Sequence, residues 1–238
     1  MNPQQITEAT HWDEWNTRFR QPEAMIDEAS FRRMYEVLDW LERLQIRNAR
    51  ILEIGCGTGW LSSKLKSFGK VTGVDLGIEI IEAAKQREPN IDFRSADIFE
   101  VDLPRGWFDA VVTLETLFCI PDQGKFIERS AELLKRGGWL LIGTHNKFVC
   151  DRREDIMPDP GHLRHWNTMK ELKSMVLPHF EVTHTTTLEP RGHLGILRLV
   201  NSIKVNRLLD KAIGPHLAKR AKEIMGLGQT LFMVAQKR

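Results

Sequence analysis

The segment ILEIGCGTG, residues 51–59, constrains this chain more than any other. A short apolar, strand-like run delivers glycines 55, 57 and 59 to the start of LSSKLKSFG, which reads as a helix with a glycine stop. A strand that ends in glycines and turns into a helix is where open α/β sheets bind ligands. The loop also narrows the ligand. A dinucleotide fingerprint needs a third glycine where Trp60 stands, and Glu53, just ahead of the loop, would repel a pyrophosphate. No Gly-Lys-Ser/Thr follows, which excludes a P-loop. A carboxylate at that point favours a ligand with an ammonium group instead.

The rest of the chain repeats the strand-then-helix alternation. KVTGVD, IDFRSAD, FDAVVTLET and WLLIGTH read as further strands, separated by the helix IEIIEAAKQREP, stopped at Pro89, and by KFIERSAELLKRGG, closed by two glycines. Upstream, Ser30 is the expected cap of a helix to about Leu44, with Met34, Val37, Leu38, Leu41 and Leu44 on one face. Downstream, Thr168 and Glu171 have capping-box spacing, so a helix is expected to about Leu177. FEVTHTTTLEP and QTLFMVAQ supply a sixth and a seventh strand. The expected fold is therefore α/β, an open, mostly parallel sheet with helices on both faces. It divides into an N-terminal helical lid (1–48), a core (49–190), a helical insertion or substrate lid (191–228) and a final strand (229–238).

Two more acids follow the glycine loop. Asp75 ends the second strand twenty residues after Gly55, where an acid accepts two ribose hydroxyls. Asp97 ends the third and can accept from an adenine amino group, although a helix cap would also explain it. Three acids at successive strand ends describe a nucleoside that carries a cation and no phosphates. S-adenosylmethionine, with a sulfonium and an α-ammonium, fits.

LEIGCGTGWL, VTGVDLG, SADIFEVDLP, FDAVVTLETLFCIPD and LLKRGGWLLIGTHN stand in the order found in class I S-adenosylmethionine-dependent methyltransferases of the small-molecule kind. The chain resembles that family, and is similar to ubiquinone-biosynthesis O-methyltransferases and to bacterial natural-product and glycan relatives. The resemblance implies a Rossmann-like, seven-stranded sheet of order 3-2-1-4-5-7-6 with the seventh strand antiparallel. It places Glu53, Gly55, Cys56, Gly57 and Gly59 along the methionine end of the cofactor, Asp75 and Leu76 at the ribose, and Asp97 with Ile98 at the adenine. Glu115 is expected near the reacting end, and Trp15, within HWDEWNTRF, is expected to close over the cofactor. One departure stands out: relatives often carry Glu-His in the segment after Glu115, whereas this chain has Phe118 and Cys119. A free cysteine is by default a small buried hydrophobe.

Methyl transfer from a sulfonium needs alignment and exclusion of water, with a base when the acceptor is a hydroxyl. His145, directly after the fifth strand, and His162 and His165, within GHLRHWN at residues 161–167, are the candidate bases. This leans towards O-methylation over C- or N-methylation. A cofactor-binding partner subunit without catalysis is the alternative. Asp159, His162 and His165 do not have the spacing of a zinc site, so no metal is expected. Arg164 is a candidate for an acidic group on the acceptor. The insertion adds to this, because residues 191–222 hold eight Lys/Arg against Asp210 alone, in a chain whose overall charge is only +2. The expected partner is a small molecule, acidic or phosphate-bearing. A membrane surface or a second subunit are the other uses of such a basic segment. The near-neutral total gives no sign of nucleic-acid binding. Three scattered cysteines, a polar start and no apolar run near the ~18 residues of a membrane span point to the cytoplasm.

Overall fold

A computed structural model describes residues 3–20, 26–153 and 164–238. Seven strands form one sheet: β1 (Ala49–Ile54), β2 (Gly69–Asp75), β3 (Asp92–Ser95), β4 (Phe108–Leu114), β5 (Leu134–His145), β6 (Phe180–Pro190) and β7 (Gly228–Lys237). Their order is β3-β2-β1-β4-β5-β7-β6. All pairings from β3 to β5 are parallel, while β7 runs antiparallel to both β5 and β6. The order reverses between β1 and β4, so a crevice opens at their C-terminal ends.

The central strands are buried on both faces, and their alternate residues divide the core in two. Ile51, Ala110, Val112, Leu141, Phe232 and Val234 face one layer. Leu52, Ile54, Val111, Leu140, Ile142 and Met233 face the other. The first layer is closed by α2 (Glu28–Arg43), α3 (Ser62–Leu65) and α4 (Glu79–Arg87). The second is closed by α5 (Gln123–Leu133) and α7 (Met169–Val176), the latter following the single turn α6 (Lys147–Cys150). Ahead of them, α1 (Pro3–Arg20) lies against α4. The segment between β6 and β7 forms α8 (Ile196–Val200), α9 (Ile203–Ile213) and α10 (Pro215–Ile224), of which α10 packs on β6.

The structure corrects two boundaries. Asp27, not Ser30, caps α2: its carboxylate accepts from the Ser30 amide, and Ser30 sits inside the first turn. Capping needs an acceptor that reaches back to a free amide, and Asp27 stands three residues ahead of one. The helix α5 ends at Leu133, and the expected glycine stop belongs to β5 instead. There the register against β4 shifts from Phe108–Leu134 to Ala110–Trp139, with Gly137 at φ +74° absorbing the extra residues as a bulge. The segment expected as a lid, 1–48, also has two roles. Met34, Val37 and Leu41 bind α2 into the core, while its N-terminal turns, at Asp27, Ser30 and Arg33, line the crevice together with α1.

The capping box at α7 is complete, with Thr168 Oγ1 accepting from the Glu171 amide and the Glu171 carboxylate accepting from the Thr168 amide. Those bonds hold the Glu171 carboxyl below its ordinary pKa, so this contribution is present at neutral pH and fades as acid protonates it. Thr168→Ala is expected to cost about 1 kcal/mol of unfolding free energy in urea at pH 7, whereas Thr168→Ser should cost little; equal losses would show that the cap is idle.

Candidate active site

The crevice is a cavity of about 740 Å³, floored by the ends of β1, β2 and β4 and roofed by α1. Its geometry begins with the glycine loop. Gly55 has φ +76°, and a Cβ there would sit 1.9 Å from Thr116 Oγ1, so neither the backbone nor the space tolerates a side chain. At Gly59, φ +75°, a Cβ would meet the Phe93 ring at 2.5 Å. Asp75 then fixes the loop from the neighbouring strand: its two carboxylate oxygens accept from Gly57 N at 2.8 Å and Gly77 N at 3.0 Å. Arg87, at the end of α4, also donates to the Thr58 carbonyl in the loop.

The acids expected along the cofactor all line this cavity, Glu53 buried and Asp75 and Asp97 half-buried. Glu53 is buried and accepts from Ser62 Oγ. Burial, with a smaller push from the Asp75 charge, raises its carboxyl pKa to about 8, so it holds a proton at neutral pH. Burial also raises Asp75, against the pull of its two backbone N–H donors. Asp97 accepts from the Phe99 amide at 2.9 Å and so caps a turn as well as lining the cavity. Gly55, Cys56, Gly57, Leu76, Ile98 and Trp15 also line it. Gly59 does not, because it packs beneath the loop against Phe93. The Cys56 thiol is buried and pushed well up by burial.

Glu115, directly after β4, also lines the cavity. It is a non-glycine residue at φ +56°, held there by its amide donating to the Gly143 carbonyl at 2.8 Å. Its Oε1 accepts from Thr230 Oγ1 at 2.7 Å and lies 3.7 Å from the buried Arg33 Nε, while Oε2 stands 3.0 Å from His145 Nδ1. The carboxylate and ring are at ion-pair distance but not aligned for a directed hydrogen bond. The negative charge beside Nδ1 favours the tautomer protonated there, leaving the Nε2 lone pair available. Burial lowers the His145 pKa, reinforced by Arg33, Arg164 and Arg153 and opposed by Glu115. The ring is therefore neutral at neutral pH.

The Phe118–Cys119 departure is resolved in this geometry. Phe118 packs edge-on against the His145 ring at 4.3 Å, so the apolar wall supports an imidazole that comes from β5. Burial pushes the Cys119 thiol far above its ordinary pKa, which leaves it no nucleophile.

Of the three candidate histidines, His145 lines the cavity. His165 holds the loop by its backbone, its amide donating to the Phe118 carbonyl at 2.8 Å and its carbonyl accepting from Gln123, while its side chain is exposed. His162 lies outside the described residues. Arg164 does reach the cavity, 3.8 Å from Cys119 Sγ and stacked over Trp12 of α1. Among the described residues, no three His, Cys, Asp or Glu side chains are grouped to hold a metal ion.

Sequence reasoning missed the residues that close the site. Asp13, one position from Trp12, accepts from Ile78 N, Glu79 N and Ile80 N at 2.9, 3.2 and 3.1 Å. It thus caps α4 from another helix and docks α1 over the cavity. Asn16 of α1 also approaches the loop, its Oδ1 3.0 Å from where a Cβ on Gly57 would stand. Arg33 and Thr230, which hold Glu115, were also not visible as site residues.

Residues 52–142 match the sequence profile of a family described as a methyltransferase domain. Over those residues the chain is similar to methyltransferase domains. A ubiquinone biosynthesis O-methyltransferase of Xanthomonas oryzae is 35% identical over 117 residues, 46% of this chain and 49% of the relative. A probable S-adenosylmethionine-dependent methyltransferase of Mycolicibacterium smegmatis is 27% identical over 136 residues, 57% of this chain and 53% of the relative. This chain thus spans about half the length of the curated relatives it matches. Among solved structures, the N-methyltransferase NodS of Bradyrhizobium japonicum shares the fold at a TM-score of 0.65 and 17% identity, covering 95% of this chain and 98% of that one.

The residues present fit S-adenosylmethionine, the cofactor that the Mycolicibacterium relative is named for. A floor of three acids suits a cationic nucleoside, and the buried Thr58 hydroxyl, without a hydrogen-bond partner, faces the same cavity. An ammonium beside Glu53 would favour its ionised form and release the held proton. Titration with S-adenosylhomocysteine at pH 7 should therefore release about one proton per site, read as a binding enthalpy that differs between Tris and phosphate buffers. In Glu53→Gln the buffer difference should vanish; an unchanged difference would show that Glu53 is not the group that titrates.

Proposed function

We propose that this protein transfers a methyl group from S-adenosylmethionine to a hydroxyl of a small acidic molecule. The observation that carries the reading is His145 lining the same cavity as the three strand-end acids, with Glu115 Oε2 3.0 Å from its Nδ1. When bound, the cofactor supplies an electrophilic methyl on a sulfonium. The protein's part is positional and acid–base. Glu53, Asp75 and Asp97 hold and orient the cofactor, and Trp12 and Trp15 on α1 keep water from the reacting end. His145 Nε2 takes the hydroxyl proton as the oxygen attacks, and the imidazolium that forms is stabilised by the Glu115 carboxylate. Arg33 and Thr230 keep that carboxylate in place.

The acceptor's acidity is inferred from the cations at the cavity. Arg33, Arg164 and Arg191 line it, and Lys125 stands at its outer side. Arg164 and Arg191 both line the cavity, and they are the groups proposed to meet a carboxylate or phosphate. A neutral amine can accept a methyl group without first losing a proton, and a non-catalytic partner subunit needs no base at the acceptor. The Glu115–His145 pair argues against both.

The test is transfer of a tritium-labelled methyl group to a panel of phenols, sugars, amines and carboxylates. Label on hydroxyl acceptors supports the reading; label on amines alone, or no transfer to any class, contradicts it. With an acceptor in hand, His145→Ala should lower kcat by roughly 10²–10⁴-fold with S-adenosylhomocysteine affinity nearly unchanged. The base works unprotonated and its pKa lies below 6.5, so kcat/KM should be flat at neutral pH and fall only on the acid side of 6.5. A profile that keeps falling through pH 8, or a His145→Ala enzyme with full turnover, would remove His145 from this role.

A further inference from the structure

The helices between β6 and β7 turn apolar side chains outward. Leu197 and Ala218 anchor α8 and α10 to the body, but α9 buries no residue at all. Leu199, Ile203, Leu208, Leu217, Ile224 and Met225 are between 63% and 77% exposed. A single exposed leucine is ordinary, but six large apolar side chains within one thirty-residue segment mark a surface that is covered in use.

The cations interleaved with them identify the cover. Lys219 pairs with Glu189, Arg220 with Glu223, and Lys222 is tied to the Val200 carbonyl and Asn206, so these three belong to the fold. Arg198, Lys204, Arg207 and Lys211 are exposed, and among the described residues no ion pair engages them. On α9, Lys204, Arg207 and Lys211 share the exposed side with Ile203 and Leu208. A second copy seated on this face across a two-fold axis would bring like charges together, which opposes association. An anionic lipid surface satisfies both features at once. The apolar side chains enter the acyl boundary while the long cationic stems reach the headgroup phosphates. Among the described residues no helix is long and apolar enough to cross a membrane, so the contact is with the surface.

We propose that α8, α9 and α10 form a docking surface for a bilayer rich in anionic phospholipid. The contact does not depend on the methyl-transfer reading. It sets Arg191, which opens the segment and lines the reaction cavity, near the lipid surface, so that an acceptor carrying a lipid anchor would meet the cavity from there.

The test is sedimentation of the full chain with vesicles of phosphatidylcholine alone and with added phosphatidylglycerol. Binding is expected to the mixed vesicles, weaker by roughly tenfold or more on phosphatidylcholine alone or in high salt. Ile203→Glu with Leu208→Glu, and separately Lys204→Glu with Arg207→Glu, should each abolish it. Because α9 buries nothing, both double variants should keep the wild-type melting temperature and S-adenosylhomocysteine affinity. No binding to either vesicle, or binding untouched by these variants, overturns the proposal. So does a dimer in sedimentation velocity that Leu208→Glu dissociates, since the face would then belong to a second copy. Loss of cofactor binding in the wild type would count against the methyltransferase reading and leave this one standing.

Discussion

The Asp75 carboxylate is the point on which the site depends. It stands at the end of β2, takes one amide from the glycine loop after β1 and another from the turn into α4, and so ties two strand–helix junctions together. The loop is also held by Gly55 N and Cys56 N donating to the Val74 carbonyl and by Arg87 donating to the Thr58 carbonyl, but Asp75 is the restraint that reaches both junctions. Asp13 extends the same device, because its carboxylate caps α4 a turn further on and draws α1 over the cavity. Two carboxylates thus spend their hydrogen-bonding capacity on backbone amides to build a ligand site. A carboxylate oxygen has more than one acceptor direction, so Asp75 can still accept from a ligand.

Charge is distributed unevenly among the residues that line the cavity. At the ends of β1 and β2 the acids Glu53 and Asp75 are held towards their neutral forms by burial, a state that a cationic ligand would reverse. After β4, Glu115 meets Arg33, Thr230 and His145, contributed by α2, β7 and β5. Glu115 is also one of four described non-glycine residues at positive φ. Strain of that kind persists only where the surroundings over-determine a residue, and the four elements meeting here do so.

Much of this was legible in the sequence, for physical reasons. The strands are short apolar runs and the glycine loop has its spacing, so the sheet, the crevice and the acids Glu53, Asp75 and Asp97 follow from local pattern. His145 was legible because a residue directly after a central strand has to stand at the crevice. Features that depend on distant partners were not. Asp13 looks like one charge among several on a polar helix, and the amides that it caps are 65 to 67 residues away. Arg33 lies on the apolar face of α2, where periodicity counts it as a defect in the pattern, although its partner Glu115 stands directly after β4. The glycines after α5 carry a helix-stop signature, but the same residues suit a bulge, and pairing with β4 decided between them. His165 and His145 are equally histidines in a promising place; backbone hydrogen bonds turn one outward.

The account's central claim is that the strand-end acids hold S-adenosylmethionine, with Asp75 both binding it and shaping the loop around it. Isothermal titration of S-adenosylhomocysteine into the wild type, Asp75→Ala and Asp75→Asn tests it most directly. The account predicts saturable one-to-one binding by the wild type, at least a tenfold loss in Asp75→Ala (roughly 1.4 kcal/mol or more) and a smaller loss in Asp75→Asn, whose oxygen can still accept. No binding by the wild type, or undiminished binding by Asp75→Ala, would contradict it.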